Sequence, residues 1–303
     1  MRLRAAVPVI ALLCTAPAAL LLAPATSAKP KPRPDLVLLN SDLAGSKHFA
    51  FAGETASIVV RDLVKNTGRA VAGKSKIELT LSHGPEKFSG ITRTVGKLSP
   101  GEKSKGTSTA DIHIPSNAKL GAYEVHLCVD AREDVKEDDE VNNCDHRGQF
   151  YIGQRKWSGS FSGSDDDNAT AWSTKDAVFK FERYVAPGEF FYEITAATVN
   201  FTTSGLDSNS CNNTGSGIET KPVGQLYLRY QDHDYSAGVG NKPAFSYPIF
   251  FNCGGGTLMT QGPKAGEDPL EFVNKPLGFG VDTLTGVYTS RGLHPRDYIW
   301  KLH

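Results

Sequence analysis

Two cysteines, Cys128 and Cys144, each sit two residues from a histidine, His126 and His146. If their strands pair antiparallel with Cys128 opposite Cys144, His126 falls opposite His146 on the same face. Two thiolates and two imidazoles so placed could form a zinc set of His126, Cys128, Cys144 and His146. The other reading is a cross-strand disulfide beside a solvated histidine pair, the outcome expected in an oxidising compartment. Between the cysteines lie Glu133, Asp134, Glu137, Asp138, Asp139 and Glu140, followed by Asn142 and Asn143. Closely spaced carboxylates and amides suit calcium, with Asp134, Glu137, Asp139 and Glu140 as candidate ligands. The spacing is not that of an EF-hand, because no glycine occupies the loop centre. The alternative is a solvated hairpin tip whose charges prevent edge pairing. Asp165 and Asp167, in Asp165-Asp166-Asp167-Asn168, pose the same choice.

Catalytic patterns are sparse. There is no Gly-x-Ser-x-Gly, no His-Glu-x-x-His and no phosphate-cradling glycine loop. Asp232-His233-Asp234 places a histidine between carboxylates, but alternation sets both aspartates opposite the ring, as in a surface turn. His294-Pro295-Arg296-Asp297 also reads as a turn. Glycosidase carboxylates can be distant in sequence and are not excluded. Phe190-Phe191-Tyr192, Tyr227, Tyr230, Tyr235 and three tryptophans either stack on sugar rings or fill a sandwich core. Of these, Tyr227, Tyr230 and Tyr235 are the candidates for an exposed binding surface.

The elements that position these residues read as short strands. Candidates are 35–39, 56–64, 76–81, 92–98, 107–114, 121–129 and 149–152, separated by turns such as Asn66-Thr67-Gly68 and Ser99-Pro100-Gly101-Glu102. About seven strands in about 115 residues is the pattern of an immunoglobulin-like sandwich. Alternation points Tyr123, Val125 and Leu127 inward and Cys128 outward with Glu124 and His126. An outward cysteine cannot make the core-crossing immunoglobulin bridge, so it should close the last hairpin instead. Tyr123, at a strand start, occupies the place of a tyrosine corner. The second half shows candidates at 157–161, 177–181, 190–201, 225–230, 245–252, 277–281 and 298–302, which fit a second sandwich or a partly closed barrel.

The ordered motifs of the first half resemble the CARDB family, the cell-adhesion-related domain found in bacteria. They are Pro34-Asp35-Leu36-Val37, Val64-Lys65-Asn66-Thr67-Gly68, the segment 96–102, Ile114-Pro115, the strand from Gly121 to Asp130, and Val135, Glu137, Asp139-Glu140 and Asn142-Asn143-Cys144. The resemblance implies an extracellular immunoglobulin-like module, often appended to other domains, and implies no catalysis. The second half resembles no family.

The ends and composition point to export. Arg2 and Arg4 precede an apolar run from Val7 to Leu22 that ends at Thr26-Ser27-Ala28, the plan of a secretory leader over residues 1–28. A lysine- and proline-rich linker over 29–34 should then lead to domains over 35–152 and 157–303. No later stretch is apolar enough to span a bilayer. Of the 5 cysteines, Cys14 falls in the leader, leaving an even set. Three pairings are formally possible, and sequence proximity favours Cys128–Cys144 and Cys211–Cys253. Without the leader arginines, 31 basic residues face 33 acidic ones, which argues against nucleic acid as a partner. The expectation is an all-β, exported, non-enzymatic adhesion or binding protein that needs no cofactor, with calcium as the candidate ion. Its partner would be an extracellular protein or a carbohydrate, bound by the second domain, with the first as spacer or interaction module. The rivals are a secreted hydrolase with its site in residues 157–303 and a purely structural envelope protein.

Overall fold

Eight strands build the first half, in a computed structural model that describes residues 30–43, 45, 47–165, 170–206, 212–220, 223–240, 248–252, 257–261, 275–290 and 296–303. They are β1 (Leu36–Asp42), β2 (Phe49–Phe51), β3 (Thr55–Asn66), β4 (Ser75–His83), β5 (Glu86–Val95), β6 (Lys103–His113), β7 (Gly121–Val129) and β8 (Cys144–Gly153). One sheet has the order β1-β3-β6 and the other β2-β8-β7-β4-β5. All pairings are antiparallel except β2 with β8. Strict alternation explains the sandwich: Ile77, Leu79 and Leu81 of β4 and Tyr123, Val125, Leu127 and Val129 of β7 are all buried between the sheets. The Tyr123 hydroxyl donates to the Lys119 carbonyl at 2.8 Å, the geometry of a tyrosine corner. Sequence reasoning misses β2, because three residues carry no period.

Two polar residues occupy inward positions of β3. Asp62 is met by the Arg93 guanidinium of β5, whose Nε lies 3.0 and 3.1 Å from the two carboxylate oxygens and whose Nη1 donates to Ser104 Oγ. Gly106 faces Asp62 across the β3–β6 ladder, and a Cβ there would lie 2.2 Å from Arg93 Nε, so the missing side chain makes room for the ion pair. Asn66 accepts from the Asp35 and Gly68 amides and donates to the Ala70 and Leu98 carbonyls. It thereby ties the start of β1, the turn after β3 and the segment after β5 around one buried amide.

The second half continues with β9 (Lys156–Asp165), β10 (Thr170–Tyr184), β11 (Glu189–Ala196), β12 (Val199–Leu206), β13 (Asn212–Glu219) and β14 (Val223–Arg229). The rest are β15 (Asp234–Gly240), β16 (Pro248–Asn252), β17 (Thr257–Gln261), β18 (Lys275–Pro276), β19 (Leu284–Ser290) and β20 (Arg296–Leu302). All twelve belong to one barrel-like sheet. Several are halves of longer strands: β11 pairs with one end of β10 and β12 with the other, and β14 and β13 follow in turn. The break between β11 and β12 is held by Asp176, whose carboxylate accepts from the Thr198 amide at 3.0 Å. On the other side β9 pairs with both β10 and β20. The described residues are all-β, with no helix among them. None therefore provides a helix long and apolar enough to cross a membrane.

Only Gln154 and Arg155 separate β8 from β9, and the hydrophobic core runs unbroken from one half to the other. Phe49 and Phe51 of β2 meet Phe181, Tyr184 and Phe190, with the Phe49 and Tyr184 rings stacked at 4.3 Å. A second contact comes from residues 277–283, expected in part as a strand. They instead turn through Gly280, at φ 76°, and seat Phe279 on the His83 ring at 3.5 Å. The Gly280 amide donates to the Leu120 carbonyl. The first half is thus built into the second and does not stand off from it as a spacer. The expected linker also departs from its reading, since the Arg33 carbonyl accepts from Arg69 and Ala70 and Pro34 is buried.

Candidate functional site

The β7–β8 hairpin sets Cys128 opposite Cys144 and His126 opposite His146. The two cysteines are joined as a disulfide, and the imidazole centroids lie 5.4 Å apart. Oxidation removes both thiolates, so the zinc reading of His126, Cys128, Cys144 and His146 is corrected: two of its four ligands are spent. The bridge lies on the outer face because Cys128 shares the parity of Glu124 and His126, while Tyr123, Val125 and Leu127 fill the core. Cys211 and Cys253 lie outside the described residues.

Beyond the bridge, residues 130–143 fold back over the start of β1. Asp130, directly after β7, is buried, and its Oδ2 accepts from the Val135 amide at 2.9 Å. Val135 is buried, and Glu137 follows it inward, only 2% exposed. Glu137 Oε2 accepts from the Leu36 amide at 2.8 Å, while the Glu137 amide donates to Glu140 Oε1. Asn142 donates to Asp35 Oδ1 at 3.0 Å. The amide of Asn143, also buried, faces three oxygens: the Leu36 carbonyl at 2.8 Å, Asn142 Oδ1 at 3.0 Å and Glu137 Oε2 at 3.2 Å. The acidic segment is therefore no simple solvated tip, although Asp134, Asp139 and Glu140 are exposed. Among the described residues no three His, Cys, Asp or Glu side chains converge as a metal cluster, so the calcium set of Asp134, Glu137, Asp139 and Glu140 does not assemble as expected. Only Glu137 turns inward. Sequence reasoning misses Asp130 and the Leu36 carbonyl, which only the fold brings to Glu137.

Burial pushes the Glu137 carboxyl up from 4.5 to about 7, against the pull of the Leu36 amide, and Asp130, Glu140 and Asp35 add to the rise. Burial likewise raises Asp130. A carboxyl that holds its proton more tightly when folded stabilises the fold fully below pH 4.5, and that contribution is lost as pH rises through about 7. The gap corresponds to roughly 3 kcal/mol. In chelator-containing buffer, the melting temperature should fall between pH 5 and pH 8, and Glu137→Gln should flatten that slope. Melting curves of both proteins across the range measure it.

The candidate aromatic surface is corrected. Tyr230 and Tyr235 are only 3% and 2% exposed. The Tyr235 hydroxyl donates to the Thr285 carbonyl and accepts from Trp300 Nε1, both at 3.0 Å. Tyr227 is half-buried, with its hydroxyl given to Glu189. Aromatic rings face the core here because they supply the largest apolar area that a small barrel can bury. Asp165 ends β9, where its backbone pairs with Thr170 and Arg296, and Asp167 lies outside the described residues. Asp232 and His233 are exposed in a turn, with His233 at φ 57°.

The barrel-like sheet carries an open trough of about 340 Å³ across β20, β9, β10 and β12, whose lining mixes polar groups with the apolar surface of Gly163, Ala171 and Ile299. Register sets Ser162 against Ser173 and Ser173 against Asn200, with Ser164, Ala171 and Thr202 in the next row. Asp297 and Ile299 close one side. These hydroxyl, amide and carboxylate groups offer donors and acceptors at strand spacing, beside the exposed apolar side chain of Ile299.

The CARDB family model matches residues 33–147. A crystal structure of the CARDB domain of a Pyrococcus furiosus protein, in complex with di-metal ions, is 22% identical; the match covers 40% of this chain and 96% of that one, at a TM-score of 0.25. A solution NMR structure of that domain is 20% identical over 40% and 97% of the two chains, at 0.26. A sporulation control protein from Bacillus subtilis is 13% identical over 76% of this chain and 89% of that one, at 0.19. No curated protein matches. The motifs, the two-sheet sandwich and the family match agree on a CARDB-type domain over residues 33–147.

Proposed function

We propose that this chain is an exported, non-catalytic binding protein in which the CARDB domain serves as a rigid base and the barrel-like sheet carries the ligand. The observation that carries this reading is the open trough of Ser162, Ser173, Asn200, Thr202 and Asp297 on that sheet. Its groups match the hydroxyls of a carbohydrate, which offer donors and acceptors at similar spacing. The unbroken core supports the base role, because a site on a rigid scaffold loses less entropy on binding. The leader expected over residues 1–28 and the disulfide support export.

The test is binding of the purified secreted protein to arrayed bacterial glycans and to whole cells. Asn200→Trp and Ser173→Trp fill the trough from exposed positions and should weaken binding at least tenfold while leaving the melting temperature unchanged. Glycan binding that survives both substitutions would overturn the site. Binding to cells stripped of glycan would identify a protein partner instead.

A further inference from the structure

The convergence of oxygens beneath β1 has no role in the trough. Glu137 and Asp130 are each only 2% exposed, and each has one carboxylate oxygen, Glu137 Oε1 and Asp130 Oδ1, without a hydrogen-bond partner. Buried carboxylate oxygens left unpaired are costly and call for a proton or a cation. Beside Glu137, the Asn143 amide lies within 2.8 to 3.2 Å of three oxygens: the Leu36 carbonyl, Asn142 Oδ1 and Glu137 Oε2. An inward amide nitrogen has two hydrogens for these three acceptors. An inward amide oxygen instead lies 2.8 to 3.2 Å from three other oxygens, the spacing of adjacent ligands in a shell about 2.3–2.6 Å from a central ion.

We propose that Glu137, Asn142, Asn143 and the Leu36 carbonyl, with neighbouring Asp130, form a seat for calcium that fastens the start of β1 to the loop after β7. The donor set is carboxylate, amide and backbone carbonyl, all hard oxygen, which suits calcium and disfavours zinc or copper. It holds two carboxylates and draws its other ligands from amides and backbone, a composition calcium accepts in its irregular shells. Glu137 and Asp130 bring two negative charges to one divalent ion, and the carboxylates of Asp35 and Glu140 add to the negative field around Glu137. Arg69 pairs with Asp138 and Arg132 with Glu78, both at exposed guanidinium groups, and Lys136, beside Glu137 in the chain, is exposed. Without the ion, the Asn143 amide turns its nitrogen inward and the loop closes on hydrogen bonds alone.

The test uses the full secreted chain, treated with chelator and titrated with calcium chloride, read by melting temperature and calorimetric stoichiometry. The expected result is a saturable rise of several degrees with one ion bound, not reproduced by potassium chloride. Glu137→Gln keeps an acceptor for the Leu36 amide and should abolish the rise, as should Asp130→Asn. Asp139→Asn, at an exposed carboxylate that bonds the Val141 amide, should retain it. No calcium-dependent shift in the wild type, or an equal shift in Glu137→Gln and Asp130→Asn, would overturn the proposal. Stability that responds to pH alone would also overturn it, identifying a proton in the ion's place.

Discussion

Phe190→Ala should lower the unfolding midpoint of both halves of the chain together. Phe190 is fully buried, and its ring lies 5.5 Å from Phe49, 5.2 Å from Tyr184 and 5.6 Å from Tyr230. The backbone of Gly153 runs against it so closely that a Cβ there would lie 2.8 Å from Cε1. Removing such a ring costs about 3–5 kcal/mol, because these neighbours belong to different strands and cannot collapse into the space. The cost falls on both halves, since Phe49 sits in the sandwich and Tyr230 in the barrel-like sheet. All three tryptophans, Trp157, Trp172 and Trp300, lie in the second half, so their fluorescence follows that half, whereas far-ultraviolet dichroism follows both. The two probes should give coincident transitions in urea for the wild type, and coincident but earlier ones for the variant. Separate transitions in the wild type would show that the shared core is not what holds the halves together.

The second large effect is expected at the buried ion pair. Arg93→Leu leaves the Asp62 carboxylate, whose side chain is fully buried, without its counter-ion. Breaking a buried pair from one side costs about 3–5 kcal/mol, whereas replacing both members with apolar residues is often nearly neutral. The double variant Asp62→Leu with Arg93→Leu should therefore recover most of the loss. A double-mutant cycle in chemical denaturation measures the coupling. Gly106→Ala should behave like a mild form of Arg93→Leu, because its methyl group occupies the space of the guanidinium. If the single Arg93 variant melts like the wild type, the pair has no structural role.

Several features were legible before any coordinate. The strand Gly121–Val129 has the same limits in the sequence reading as in β7, because five alternating residues leave one register in which the apolar set faces inward. The same parity sends Cys128 outward and so to a hairpin bridge opposite Cys144. The order of the CARDB motifs identified the first sandwich. Other features were not legible, each for a physical cause. β2 is too short to show a period, and it pairs in parallel with residues just over a hundred positions away. The long strands of the second half break at Asp176 and Thr198, so their pattern shifts phase within one strand and looks like separate pieces. Glu137 reads as one acid of a calcium loop or solvated tip, and Asp130 is not singled out, because nothing local shows that β1 will lie over them.

The division follows from range. Side-chain parity, the turn at Asn66-Thr67-Gly68 and the outward position of Cys128 depend on neighbours a few residues away, and the sequence by itself determined them. Tertiary structure alone decided what each buried face meets. It set Phe49 and Phe51 against Phe181 and Phe190, took Tyr230 and Tyr235 from an expected surface into the core, and left the Ser162–Asn200 row open. It also laid Leu36 over Glu137 and Asn143. Burial is a property of the whole packed chain, so the residue types that could bind were visible early, and which of them remain available was not.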